Sequence, residues 1–172
     1  MKGLWNALPP FDPANAALTG GNAFFVPSGG VSFAPVSCPA DTSEDTLAAI
    51  TIPPISAKGG IRITTHWTAT NGANNKTPRI RFSGASGTVY FTATITTQTT
   101  WQIVTEIFNQ NATNSQRGGT RGETGSGTNL FLADVTSAVD TTASTSVVIT
   151  GQKATGTDTL TLDGYLVEVI NP

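Results

Sequence analysis

The side chains able to do chemistry are few: 11 Asp and Glu, 9 Lys and Arg, one His and one Cys in 172 residues. A glycosidase needs two acids facing each other about 5–10 Å apart across a cleft. Asp41, Glu44 and Asp45 fall together in a turn before a strand, and Glu106 with Asp163 is the other pair to weigh. Nothing in the spacing points to a cleft, so solvated strand-edge charge is the expectation. A hydrolase would place a nucleophile on a strained turn beside a base oriented by an acid. His66 falls on the outward face of a strand, no Gly-x-Ser-x-Gly is present, and Ser83, Ser86 and Ser126 read as turn residues. A packed or interfacial histidine is therefore expected. The single Cys38 reads as a reduced thiol, and no catalytic residue is expected.

The cations are equally sparse. Arg117 and Arg121 lie among glycines, and Lys76, Arg79 and Arg81 form a small basic group. Local ion pairs or contacts to a neighbouring subunit are the expected use. No calcium loop of the EF-hand type and no His/Cys cluster at ligand spacing occurs, so no metal or cofactor is expected. Trp67 and Trp101 have apolar alternates, which favours core packing over stacking on a sugar ring.

These residues must be held by strands. Charged residues make up 12%, about half the roughly 25% usual for a soluble domain. Threonine, present 30 times, takes their place. It is β-branched and suits a pleated surface. A helical bundle is excluded by composition, and a disulfide framework by the cysteine count. A net charge of −2 offers phosphate backbones no attraction, so no nucleic-acid partner is expected. No apolar run is long enough for a membrane span or for the core of a signal peptide. Synthesis in a cytoplasm is the expectation.

Residues 31–172 read as strands at 31–38, 46–52, 61–70, 79–82, 88–95, 101–108, 130–135, 146–150 and 159–170. In the third of these, Ile61, Ile63, Thr65 and Trp67 take one face and Arg62, Thr64 and His66 the other. Tyr90 alternates outward from Val89 and Phe91. The run 101–108 is apolar on both sides, as in a central or interface strand. In the last strand the apolar phase changes at Gly164, as a bulge requires. Residues 109–129 are expected to be irregular, and 134–139 holds the one candidate helical turn. The predicted fold is an antiparallel, jelly-roll-like β-sandwich of eight to nine strands.

Residues 1–30 differ. Pro9, Pro10, Pro13 and Pro27 forbid long regular elements, yet Leu4, Trp5, Leu8, Phe11, Phe24, Phe25 and Val26 call for burial. An extended arm lying on another surface reconciles the two, and these seven residues are its expected contacts. Asn71, Asn74, Asn75, Lys76, Arg117 and Arg121 form a second set, expected in exposed loops.

Several segments resemble a domain of tailed-phage structural proteins. They are Gly60-Ile61-Arg62-Ile63-Thr64-Thr65-His66-Trp67, Asn71-Gly72-Ala73-Asn74-Asn75-Lys76-Thr77 and Arg79-Ile80-Arg81-Phe82-Ser83-Gly84. Asn111-Ala112-Thr113-Asn114-Ser115-Gln116, Val148-Ile149-Thr150-Gly151-Gln152 and the run from Asp158 to Glu168 continue the pattern. The resemblance covers about residues 42–170 and brings no catalytic motif. It implies a virion location on the capsid surface, after synthesis in the host cytoplasm. With the arm, it implies a non-enzymatic capsid decoration (cement) protein that binds the major capsid protein and self-associates as a dimer or trimer. The alternative is a tip or fibre protein that binds a receptor or host-surface glycan through loops 71–77 and 109–129.

Overall fold

Alternation of buried and exposed side chains organises the strands. In the computed structural model, which describes residues 29–125 and 129–171, Ile61, Ile63, Thr65 and Trp67 are buried while His66 between them is exposed. Eleven strands follow in order: β1 (Val31–Ser32), β2 (Val36–Ser37), β3 (Glu44–Ile52), β4 (Gly60–Ala69), β5 (Lys76–Phe82) and β6 (Thr88–Thr92). Then come β7 (Thr100–Asn109), β8 (Gln116–Thr124), β9 (Asn129–Ser137), β10 (Thr145–Lys153) and β11 (Leu160–Ile170). No helix occurs among the described residues. The arm contacts Leu4, Trp5, Leu8, Phe11, Phe24, Phe25 and Val26 lie outside the described residues.

The strands form two antiparallel sheets. One runs β1-β11-β4-β7-β8-β9, with β2 also on β11, and the other runs β3-β10-β5-β6. Taking β1 and β2 as one strand broken at Pro35, the orders β1/β2-β11-β4-β7 and β3-β10-β5-β6 are the two sheets of an eight-stranded jelly roll. The β8–β9 hairpin is an insertion that widens the first sheet. Isoleucine, valine and aromatic side chains from the two inner faces fill the space between. Trp67 and Trp101, directly opposite across β4 and β7, stack at 6.3 Å with planes 8° apart. Burying each large aromatic stabilises the fold by about 1.5–3 kcal/mol.

Four expectations need correction. The stretch 109–129 contains β8, and the expected strand 31–38 divides into β1 and β2, so the count rises to eleven. Its glycines looked like loop residues, but Gly118 and Gly122 pack against Tyr90 and Ile103, where a Cβ would not fit. Residues 134–137, read as a helical turn, belong to β9, because they pair with β8 through Arg117↔Thr136 and Gly118↔Val135. Tyr90, expected outward, is buried, because a register shift between Ile80 and Arg81 makes it the extra residue on β6. Lys76, expected in an exposed loop, is the first residue of β5 and fully buried, in phase with Ile80 and Phe82. Pairing with Ile95 through two 2.8 Å backbone hydrogen bonds fixes that phase.

Other features match. The strand at Thr100–Asn109 is central, between β4 and β8. The bulge falls between Leu162 and Gly164, where Asp163 is the extra residue opposite β4.

Candidate functional site

The outward face of the larger sheet carries a broad group of ionisable side chains. Register places Glu168, Arg62, Glu106 and Gly119 in one row across β11, β4, β7 and β8. Arg62 Nη2 lies 2.8 Å from Glu106 Oε1, and Arg62 Nη1 lies 4.0 Å from Glu168 Oε2. Arg121 Nη1 reaches the other oxygen of Glu106 at 3.2 Å. One glutamate thus bridges two arginines, and Arg117 pairs across to Asp134 on β9. Both Arg117 and Arg121 sit on strand β8, exposed on its face rather than in a loop.

Among the described residues, two shallow hollows stand out on this face. The first, about 410 Å³, is centred on Gly118 and Gly119 and bounded by Val104, Glu106, Phe108, Arg117, Arg121 and Asp134. It exists because position 119, which would point outward, has no side chain. The second, about 470 Å³, is lined by His66, Thr68, Gln102, Glu123 and Asp163 among others. His66, Gln102 and Glu123 are cross-strand neighbours in one row. Asp163 accepts a hydrogen bond from the Thr68 hydroxyl at 3.0 Å.

Glu106 and Asp163 do not face each other. Their partners Arg62 and Thr68 are six residues apart along β4, about 20 Å at the rise of a strand. His66 is exposed, and no described hydrogen bond orients it. Among the described residues, no group of three His, Cys, Asp or Glu side chains is placed to hold a metal ion.

The smaller sheet carries a second ion cluster. Glu44 accepts both an Nε and an Nη2 bond from Arg81, at 3.1 and 2.9 Å, lies 2.9 Å from Arg79 Nη1, and accepts the Thr150 hydroxyl at 2.6 Å. Burial pushes its carboxyl up, but the Thr150 and Arg81 hydrogen bonds and the charges of Arg79 and Arg81 outweigh this and hold it below the ordinary value. The expected basic group therefore separates: Arg79 and Arg81 are neutralised on the outer face, and Lys76 is inside.

Lys76 takes part in a buried latch at one end of the sandwich. Its Nζ donates to the Gly72 carbonyl at 3.3 Å and lies 4.0 Å from Asp158 Oδ2. Lys153 Nζ donates to the Asp158 carbonyl at 3.0 Å and to those of Cys38 and Gly156 at 3.5 Å. The two lysines thus pin the loops around 72 and 156, leaving Asn71, Asn74 and Asn75 exposed. No local sequence signal marks this role, since a lysine beside a turn ordinarily reads as solvated.

Among the described residues, three of the four exposed large apolar side chains cluster at the start: Val31 at 59%, Phe33 at 77% and Val36 at 40%. The fourth is Phe108, at the first hollow.

No protein-family model matches the chain, and no curated protein matches it. Solved structures with some likeness include peanut lectin with a nonapeptide, at 6% identity and a TM-score of 0.40, covering 84% of this chain and 98% of that one. The VP2 subviral particle of infectious bursal disease virus gives 14% identity and a TM-score of 0.37, with 84% of this chain against 33% of that one. The Gx strain of the same virus gives 15% identity and 0.29, with 84% and 41% coverage. This chain therefore spans about a third of the VP2 chain it is set against. Scores this low carry no inference about binding or assembly. What the strand order establishes is the architecture: the chain is an antiparallel, jelly-roll-like β-sandwich.

Proposed function

We propose that the protein is a non-enzymatic structural component of a virion, a decoration protein that holds to the capsid lattice through its N-terminal segment. The observation that carries this reading is the placement of exposed apolar surface. Val31, Phe33 and Val36 lie at the sheet edge where the apolar N-terminal sequence enters the sandwich. They continue the series of Trp5, Phe11, Phe24 and Phe25. Contiguous exposed apolar surface marks an association site.

The charge pattern supports the same reading. All five arginines are in ion pairs, so none is left as a free cation for a phosphate backbone. The resemblance of residues 42–170 to tailed-phage structural proteins supplies the class of partner, a major capsid protein, with self-association through the sandwich.

Quantitative mass spectrometry of the purified virion tests this reading. Copy numbers on the scale of the capsid lattice are expected, and loss of binding to undecorated heads in Trp5→Ala/Phe11→Ala. A few copies confined to the tail would reject it. A glycan-binding role at a fibre tip is favoured by one feature, the second hollow, where the planar polar groups of Gln102, Glu123 and Asp163 suit sugar hydroxyls. Saturable saccharide binding that disappears in Gln102→Ala would support that alternative.

A further inference from the structure

We propose that Lys76 and Asp158 are the two halves of an intramolecular amide bond, which closes between their side chains after folding and ties the two sheets together. The proposal does not depend on what the protein assembles with.

The two groups are buried together without being satisfied. Lys76 is fully buried and Asp158 nearly so, yet Nζ and Oδ2 stand 4.0 Å apart. A charge-assisted hydrogen bond would draw them to about 2.7–2.9 Å. An ammonium has three protons to donate. Among the described residues this one has a single acceptor, the Gly72 carbonyl at 3.3 Å. Asp158 Oδ2 is buried and accepts from no described donor. As an ion pair, the arrangement leaves two desolvated charges incompletely matched. An amide would suit the same surroundings better. One N–H remains, the Gly72 carbonyl is in place to accept it, and the unpartnered oxygen is gone.

Both backbones are fixed. Lys76 exchanges two 2.8 Å hydrogen bonds with Ile95, and the Asp158 carbonyl accepts Lys153 Nζ at 3.0 Å. Side chains held together in this way meet at an effective concentration that can reach about 10⁵ M. Amide formation, unfavourable between separate molecules in water, becomes favourable in a water-excluded site of that kind. The gap to the roughly 3–3.5 Å of reacting atoms is within the swing of the flexible lysine stem.

The step needs no other reactant. Nζ passes one proton to Oδ2, and its freed electron pair attacks Cγ. The Cγ–Oδ2 bond then breaks, and the oxygen leaves as water with a second Nζ proton. The third proton stays on the amide nitrogen. Before closure the two side chains are the charge pair of the latch. After it, the first residue of β5 in the smaller sheet is joined to the turn that leads into β11 of the larger one.

Mass spectrometry of the denatured full-length chain, sampled after refolding until the mass is constant, tests the bond. The parent is expected to end lighter than its sequence mass by one water, about 18 Da. Lys76→Arg and Asp158→Ala are expected to keep their full masses. Tryptic digestion of the parent should yield a branched species, residues 63–79 joined to 154–172 and uncut after Lys76. A parent at its full sequence mass would overturn the proposal. So would a water loss that maps to Asp163-Gly164, where an aspartate can cyclise onto the chain. The parent alone decides the outcome, which therefore stands even where a variant fails to fold.

Discussion

Gly118 sits directly against the Tyr90 ring: a Cβ built on it would lie 2.8 Å from Cε1 and 3.0 Å from Cδ1. Tyr90 reaches this position because it is the extra residue of a bulge on β6, and its hydroxyl is 2.7 Å from the Ser137 hydroxyl on β9. One aromatic from the smaller sheet therefore supports the inserted hairpin of the larger one. Gly118→Val should destabilise by about 1–3 kcal/mol, the usual range for overpacking. Gly119→Ala, on the open side of the same strand, should stay within about 0.5 kcal/mol of the parent. Urea unfolding of the two variants measures both, and equal stabilities would show that Tyr90 does not confine position 118.

This contact also shows where the sequence was legible and where it was not. Strands with β-branched or aromatic residues at every second position, such as β4 and β11, announce their inward faces, and even the bulge before Gly164 is visible as a phase change. In β8 the inward positions are Gln116, Gly118, Thr120 and Gly122, so the apolar period is missing. The reason for the glycines, a ring and an isoleucine from elsewhere in the chain, is a tertiary fact. Lys76 failed for the same kind of reason: its burial depends on Ile95 and Asp158, both distant in sequence. The ion pairs of Arg117 and Arg121 were foreseeable as a type, but their partners follow from register alone.

Glu44 makes acid stability testable. Its carboxyl is held below the ordinary value of 4.5, so in the folded state it stays ionised where the unfolded chain would take up a proton. The stabilisation is therefore fully present above that ordinary value and is lost as pH falls through the folded one. Glu44→Gln should cost up to about 1 kcal/mol near neutrality, since the cluster is partly exposed. The difference from the parent should shrink as pH drops below 4.5. Unfolding curves at a series of pH values check this, and a gap that widens in acid would contradict the sign.

Cys38 titrates in the opposite direction. Burial, reinforced by the charge of Asp45 and opposed by Lys153, pushes its thiol up to about 11. At pH 8 the folded protein should react with a thiol reagent far more slowly than the urea-unfolded chain, because the thiolate is the nucleophile. Raised in the folded state, this group favours folding below the ordinary value of 9.0 and loses that contribution as pH rises from 9.0 towards 11. Equal reactivity in the two states would show that the site opens readily.

The latch at the loop end gives the sharpest energetic test. Lys76 is fully buried, and its partner Asp158, 8% exposed, has an Oδ2 with no hydrogen-bond donor. At 4.0 Å the pair is separated by more than a hydrogen-bond length, so the attraction offsets the desolvation of two charges incompletely. Removing one charge is worse than removing both. Lys76→Met should cost about 3–5 kcal/mol by leaving a buried carboxylate uncompensated. Adding Asp158→Asn should recover a large part of that loss, which gives a strongly non-additive cycle. Lys153→Met should not be rescued by the same change, because Lys153 holds the backbone carbonyls of Cys38, Gly156 and Asp158 rather than the carboxylate. Additive effects of Lys76→Met and Asp158→Asn would mean that the two side chains are screened from each other.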